Sequence, residues 1–133
     1  MSQGASNETL DGTWVKMVKD AGNSEMRFSE LAARYKALGD ETRLAMLAYL
    51  KVRTLCVCEL VPLLGVSQSA VSQHLRRLKE AGWVVSERRG QWVYYSLNET
   101  MVKVYPSIIA ALPDMSDEIL KLEQEDNKLQ CKL

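Results

Sequence analysis

The chain has 133 residues, in which 17 Lys and Arg balance 17 Asp and Glu to a formal net charge of zero, and 47% of the residues are hydrophobic. That length suits one domain with a small core, and the balance excludes a protein that is basic throughout. No apolar run approaches the roughly 18 residues of a membrane span and no signal peptide opens the chain, so the expectation is a cytoplasmic protein with no membrane partner.

Residues 1–8 are polar and read as a frayed end. Leu10, Trp14, Val15, Met17 and Val18 then mark a short amphipathic helix that Thr9 or Asp11 can cap and Ala21-Gly22-Asn23 ends. Such a helix cannot bury its apolar face alone. It packs on its own domain or on a second subunit, and the pattern leaves both open. Phe28, Leu31, Tyr35 and Leu38 recur at helical spacing until Gly39, and Asp40 caps a further helix over 41–52. In that helix Leu44, Leu47, Ala48 and Tyr49 or Leu50 form the expected core stripe.

A short helix, Glu59 to Leu64, closes at Gly65, and after a tight turn Ser67 caps the next one. There Val71, Leu75 and Leu78 recur at i, i+4, i+7, a buried stripe. Gln68, Ser69, Ser72, Gln73, Arg76 and Arg77 lie off the stripe and none is acidic. After Ala81-Gly82 two β-rich runs, Trp83 to Glu87 and Gln91 to Leu97, read as a hairpin with Arg88, Arg89 and Gly90 at its tip. Asn98 caps a helix toward Val104, Pro106 and Pro113 interrupt the pattern, and a last helix starts near Asp114 or Ser116 with Ile119, Leu122 and Leu129 on one side.

Two helices, a turn and a basic-tipped hairpin in this order make a winged helix-turn-helix, mainly α with a β-hairpin wing. The polar half of the second helix suits the major groove, and the wing suits a neighbouring phosphate or the minor groove. Gln68, Ser69, Ser72 and Gln73 are the base-edge candidates. Arg76, Arg77, Arg88 and Arg89 are the phosphate candidates. His74, the single histidine, either packs at the contact between helices or touches the DNA backbone.

The segments KALGDETRLAMLAYL (Lys36 to Leu50), LCVCEL (Leu55 to Leu60) and SQSAVSQHLRRLKEAGWVVSERRGQWVYYSL (Ser67 to Leu97) together resemble the ArsR/SmtB family of winged-helix metalloregulatory repressors. The resemblance covers roughly residues 28–98, and LCVCEL is similar to the motif of the arsenic-sensing branch. It implies a homodimer that represses a resistance operon and leaves an inverted-repeat operator when a soft ion binds. It also implies three parts: a dimerising arm and helix over 1–24, a DNA-binding domain over 25–98, and dimerising C-terminal helices with a tail over 99–133.

Three cysteines, two of them separated by one residue, argue against a disulfide framework. Cys56 and Cys58 supply thiolates, which select soft or borderline ions, and the start of a helix favours the thiolate. On an ideal helix residues i and i+2 point to different sides, so this pair can share one ion only if the chain between them is partly extended. Pro62 weakens the turn in question, because it cannot donate to the carbonyl of Cys58. As(III) or Sb(III) is the expected inducer, with nothing required for folding. The third sulfur is Cys131 of the tail or an external thiol. The alternatives are a sensor of cadmium, lead or zinc on the same cysteines, or a thiol-redox switch. An enzyme is not expected, since no general base accompanies either cysteine and there is no phosphate-binding loop.

Overall fold

A computed structural model describes residues 27–125. The arm with its expected helix over 10–18, Leu129 and Cys131 lie outside the described residues. The described elements in chain order are α1 (Phe28–Lys36), α2 (Glu41–Val52), β1 (Leu55–Cys56), α3 (Val57–Leu64), α4 (Gln68–Glu80), β2 (Val84–Arg89), β3 (Trp92–Leu97), α5 (Glu99–Val104), α6 (Pro106–Ala111) and α7 (Ser116–Gln124).

Asp40 caps α2 by accepting from the Arg43 amide at 3.1 Å. From Met46 to Leu50 every residue of α2 is buried, because α3, α4, β3 and α7 all pack around it. The core stripe expected on this helix is therefore corrected at its start. Leu44 is exposed and Met46 is fully buried, since burial follows the elements packed around residues 46–50 rather than one face along the whole helix. α1 is the opposite case: it has no buried residue, and Phe28 and Tyr35 are both exposed. The end of α1 also falls earlier than Gly39, at Lys36 with Ala37 as its C-cap.

The wing has a third strand that sequence periodicity missed, since two residues are too few to alternate. The sheet order is β1-β3-β2, with Leu55 opposite Tyr95 and Cys56 opposite Tyr94. The hairpin ladder runs from Val84–Leu97 out to Arg89–Trp92. Arg88 and Arg89 thus belong to β2 rather than to the tip. Only Gly90 and Gln91 form the turn, and the φ of 65° at Gly90 is the left-handed conformation such a short loop requires. Trp83, expected in the strand, precedes it and is fully buried. Its indole N–H donates to the carbonyl of Arg34 at 2.8 Å, and its ring lies 5.3 Å from that of Tyr105.

Asn98 caps α5 through Thr100, and its side-chain amide also donates to Gly82 O, tying the end of the wing to its beginning. Pro106 does not stop the chain but opens α6 at its first turn, where its missing N–H costs nothing. Met101, Ile109, Leu112 and Ile119 join the same core as the helix-turn-helix, so residues beyond 98 are not a separately packed unit.

Candidate nucleic-acid interface and thiol pair

Ser67 accepts from the Ala70 amide at 3.1 Å and starts α4. Val71, Leu75 and Leu78 are fully buried, as their spacing implies, and that fixes which way the rest of the helix points. Gln68, Ser69, Ser72, Gln73, Arg76 and Arg77 are all exposed, on one continuous polar surface. Arg88 and Arg89 are exposed on the wing. The Arg89 guanidinium sits 4.8 Å over the Tyr94 ring and pairs with Glu87 at 3.2 Å. Lys79 donates to Ser86 Oγ at 2.8 Å, linking the end of α4 to the wing.

His74 is half-buried at the contact between α2 and α4, one of its two expected places. Its Nδ1 is 3.2 Å from Arg43 Nη1 and 3.9 Å from Asp40 Oδ2. Arg43 also donates from Nε to the carbonyl of Ala37 at 2.7 Å. Arg43 therefore joins the end of α1 and the reading helix through its side chain, and the cap of α2 through its amide. Sequence reasoning did not single out Arg43, which falls within a helix whose apolar pattern drew attention elsewhere. The Arg43 amide holds the Asp40 carboxyl below the usual carboxylate value, with further help from the His74 and Arg43 side chains.

The cysteines resolve the spacing difficulty in the way their sequence requires. Cys56 is extended, at φ −101° and ψ 171°, and serves both as the last residue of β1 and as the N-cap of α3, while Cys58 lies within the first helical turn. The two sulfurs come within 3.0 Å. Glu59 closes a capping box, its carboxylate accepting from the Cys56 amide at 3.0 Å, and Arg53 bridges Glu59 at 3.4 Å to Glu123 of α7 at 2.8 Å. Among the described residues no group of three or more His, Cys, Asp or Glu is placed to hold an ion. The expectation that the helix start favours the Cys56 thiolate is corrected. Burial pushes this thiol above its usual value and the Glu59 carboxylate adds to the effect, outweighing the amides of Glu59 and Cys58 that pull it down.

An exposed polar helix that follows a tight turn and is joined to a basic wing is the arrangement of a DNA-binding transcriptional regulator of the winged helix-turn-helix class. Residues 40–86 match the model of the bacterial regulatory protein, arsR family. The arsenic resistance transcriptional regulator ArsR1 of Pseudomonas putida is 39% identical over 87 residues, 65% of this chain and 68% of that protein. The arsenical resistance operon repressor of Escherichia coli is 38% identical over 92 residues, 68% of this chain and 73% of that protein. Among solved structures, HlyU from Vibrio cholerae superposes with a TM-score of 0.53 at 38% identity, covering 60% of this chain and 85% of that one. The chain belongs to the ArsR family.

Proposed function

We propose that this protein represses a metal(loid)-resistance operon, binding inverted-repeat operator DNA as a homodimer and releasing it when As(III) or Sb(III) occupies Cys56 and Cys58. The observation that carries this reading is the 3.0 Å approach of the two sulfurs at the head of α3, the helix packed directly against the reading helix α4. In the reduced protein two thiolates converging on one point would suit a soft ion. Cys131 or an external thiol completes the pyramid.

In this reading residues 25–98 recognise DNA, while 1–24 and 99–133 form the dimer. A two-fold dimer sets two reading helices about 34–36 Å apart on one face of the duplex. Gln68, Ser69, Ser72 and Gln73 read base edges. Arg76, Arg77, Arg88 and Arg89 neutralise phosphates, and His74 supports the helix from behind. No described helix is long and apolar enough to cross a membrane, and a cytoplasmic location accompanies the proposal. Cadmium, lead and zinc ions suit the same two thiolates, and their relative potency in release identifies the inducer.

The test is operator release titrated with arsenite in reducing buffer. Cys56→Ser and Cys58→Ser keep side-chain volume and should hold operator affinity near the parent's while abolishing release, because a hydroxyl is a far poorer ligand for a soft ion. Cys131→Ser should raise the arsenite needed if the tail supplies the third sulfur, and match the parent if an external thiol does. A double Cys56→Ser, Cys58→Ser variant that leaves DNA at the parent's arsenite concentration would overturn the proposal.

A further inference from the structure

A polar cavity of about 490 Å³ opens at the corner where the end of α1 and the start of α2 meet α4. Its charged walls are Lys36 of α1, Arg43 of α2, and Arg77 and Glu80 of α4, while Ala33 and Gly39 leave it room. A second cavity, of about 320 Å³, adjoins it along α4 between Gln73, Arg76, Arg77 and Glu80. Gln73, Arg77 and Glu80 stand at i, i+4 and i+7, so one stripe of α4 runs from a proposed base reader to this corner. Lys36, Arg43, Arg76 and Arg77 thus share one recess with a single carboxylate. Among the described residues no ion pair joins Glu80 to any of them. Cations set side by side without neutralisation repel one another, and an anion placed among them relieves that cost.

Arg43 is fixed in advance. Its Nε donates to Ala37 O at 2.7 Å, its Nη1 lies 3.2 Å from His74 Nδ1, and its Nη2 lies 3.5 Å from Lys36 O. The two carbonyls at the end of α1, which would repel an anion, are therefore turned to a guanidinium. One N–H on each of Nη1 and Nη2 remains, held in a fixed plane. Lys36 and Arg77 are exposed, and their side chains make no hydrogen bond among the described residues. We propose that this corner holds a backbone phosphate of the DNA, with Lys36 and Arg77 as its flexible cations and Arg43 as the pre-aimed one. The proposal rests on the DNA-binding reading and is independent of the thiols. α4 has 13 residues and is about 20 Å long, whereas the major groove is about 12 Å wide. With its first turns on base edges, its last turns stand level with the sugar–phosphate wall, beside the end of α1. The interface then includes α1 and α2, whose sequence pattern gave no sign of a DNA contact.

The experiment uses the full-length reduced protein without arsenite, on a duplex selected by the parent, with Lys36→Ala and Arg77→Ala. Lys36→Ala truncates an exposed side chain with no hydrogen bond or ion pair among the described residues, so its thermal unfolding should match the parent's. Its affinity should fall about fivefold at about 0.15 M salt, alike for every duplex sequence, and the slope of log affinity against log salt should fall by about one. A second measurement replaces single phosphates of the duplex, one position at a time, by uncharged methylphosphonates. One position should weaken the parent more than it weakens Lys36→Ala, and Arg77→Ala should lighten that same position, because both cations face one cavity. A parental salt slope in Lys36→Ala, or different positions lightened by the two variants, would overturn the proposal. A parent with no salt-dependent affinity for any duplex would instead overturn the DNA-binding reading on which it rests.

Discussion

The two helices of the reading head are built to different standards. α4 has 13 residues, a serine cap and three fully buried anchors in Val71, Leu75 and Leu78. α3 has 8 residues, a cysteine where α4 has its serine, Pro62 within it and a single buried anchor in Leu60. The proline removes one hydrogen bond and crowds the carbonyl of Cys58. The helix proposed to meet DNA is thus firmly held and the helix that contains Cys58 is lightly held. Under the proposed function a ligand that distorts α3 would meet little resistance there, and the fixed geometry of α4 would turn the distortion into a shift of the whole reading surface. Coupling between two sites of this kind commonly amounts to about 1–3 kcal/mol.

The largest test of that contrast is Leu75→Ala. Emptying a fully buried leucine site in α4 should cost about 2–5 kcal/mol of stability, measured by denaturant unfolding, and should weaken DNA binding with it. A loss below about 1 kcal/mol would mean that α4 is not the rigid partner.

Pro62→Ala sharpens the comparison from the other side. It restores an N–H to α3, and proline inside a helix is about 3 kcal/mol less favourable than alanine, an upper bound for a helix this short. The variant should melt higher than the parent, keep its operator affinity, and need more arsenite for release because the thiol turn is harder to distort. A variant that is more stable yet releases at the parent's arsenite concentration would separate the flexibility of α3 from sensing.

The smallest effect belongs to Asp40, which caps α2 and lies near both His74 and Arg43. Its carboxyl is held below the ordinary value of 3.8, first by the Arg43 amide, so the folded state favours the charged form. The stability this contributes is present above the unfolded value and is lost as pH falls through the lower, folded one. Asn can still cap a helix, so Asp40→Asn should cost at most about 1 kcal/mol at neutral pH for this partly exposed group. The difference from the parent should shrink below pH 3.8. A difference that persists unchanged into strong acid would show that charge is not its source.

Much of this architecture was legible without coordinates because it is local. The i, i+4, i+7 apolar spacing of Val71, Leu75 and Leu78 determined the buried side of α4, and so also determined that Gln68, Ser69, Ser72, Gln73, Arg76 and Arg77 face outward. Asp40, Ser67 and Asn98 announced the helix starts they cap. Leu55-Cys56 gave no such signal, since a strand of two residues exists only because β3 lies beside it. Leu44 misled for a related reason: burial along α2 follows from what packs around it, not from its own pattern. The sequence determined that two thiols stand one residue apart and that the chain between them has to open for both to meet one ion. Tertiary structure decided how it opens, with Cys56 spending its backbone on the sheet while α3 claims Cys58. It also decided the neighbours of these cysteines, Tyr94 across the ladder and Glu59 with Arg53 toward α7. Such pairings join residues far apart in the chain, and only packing brings them together.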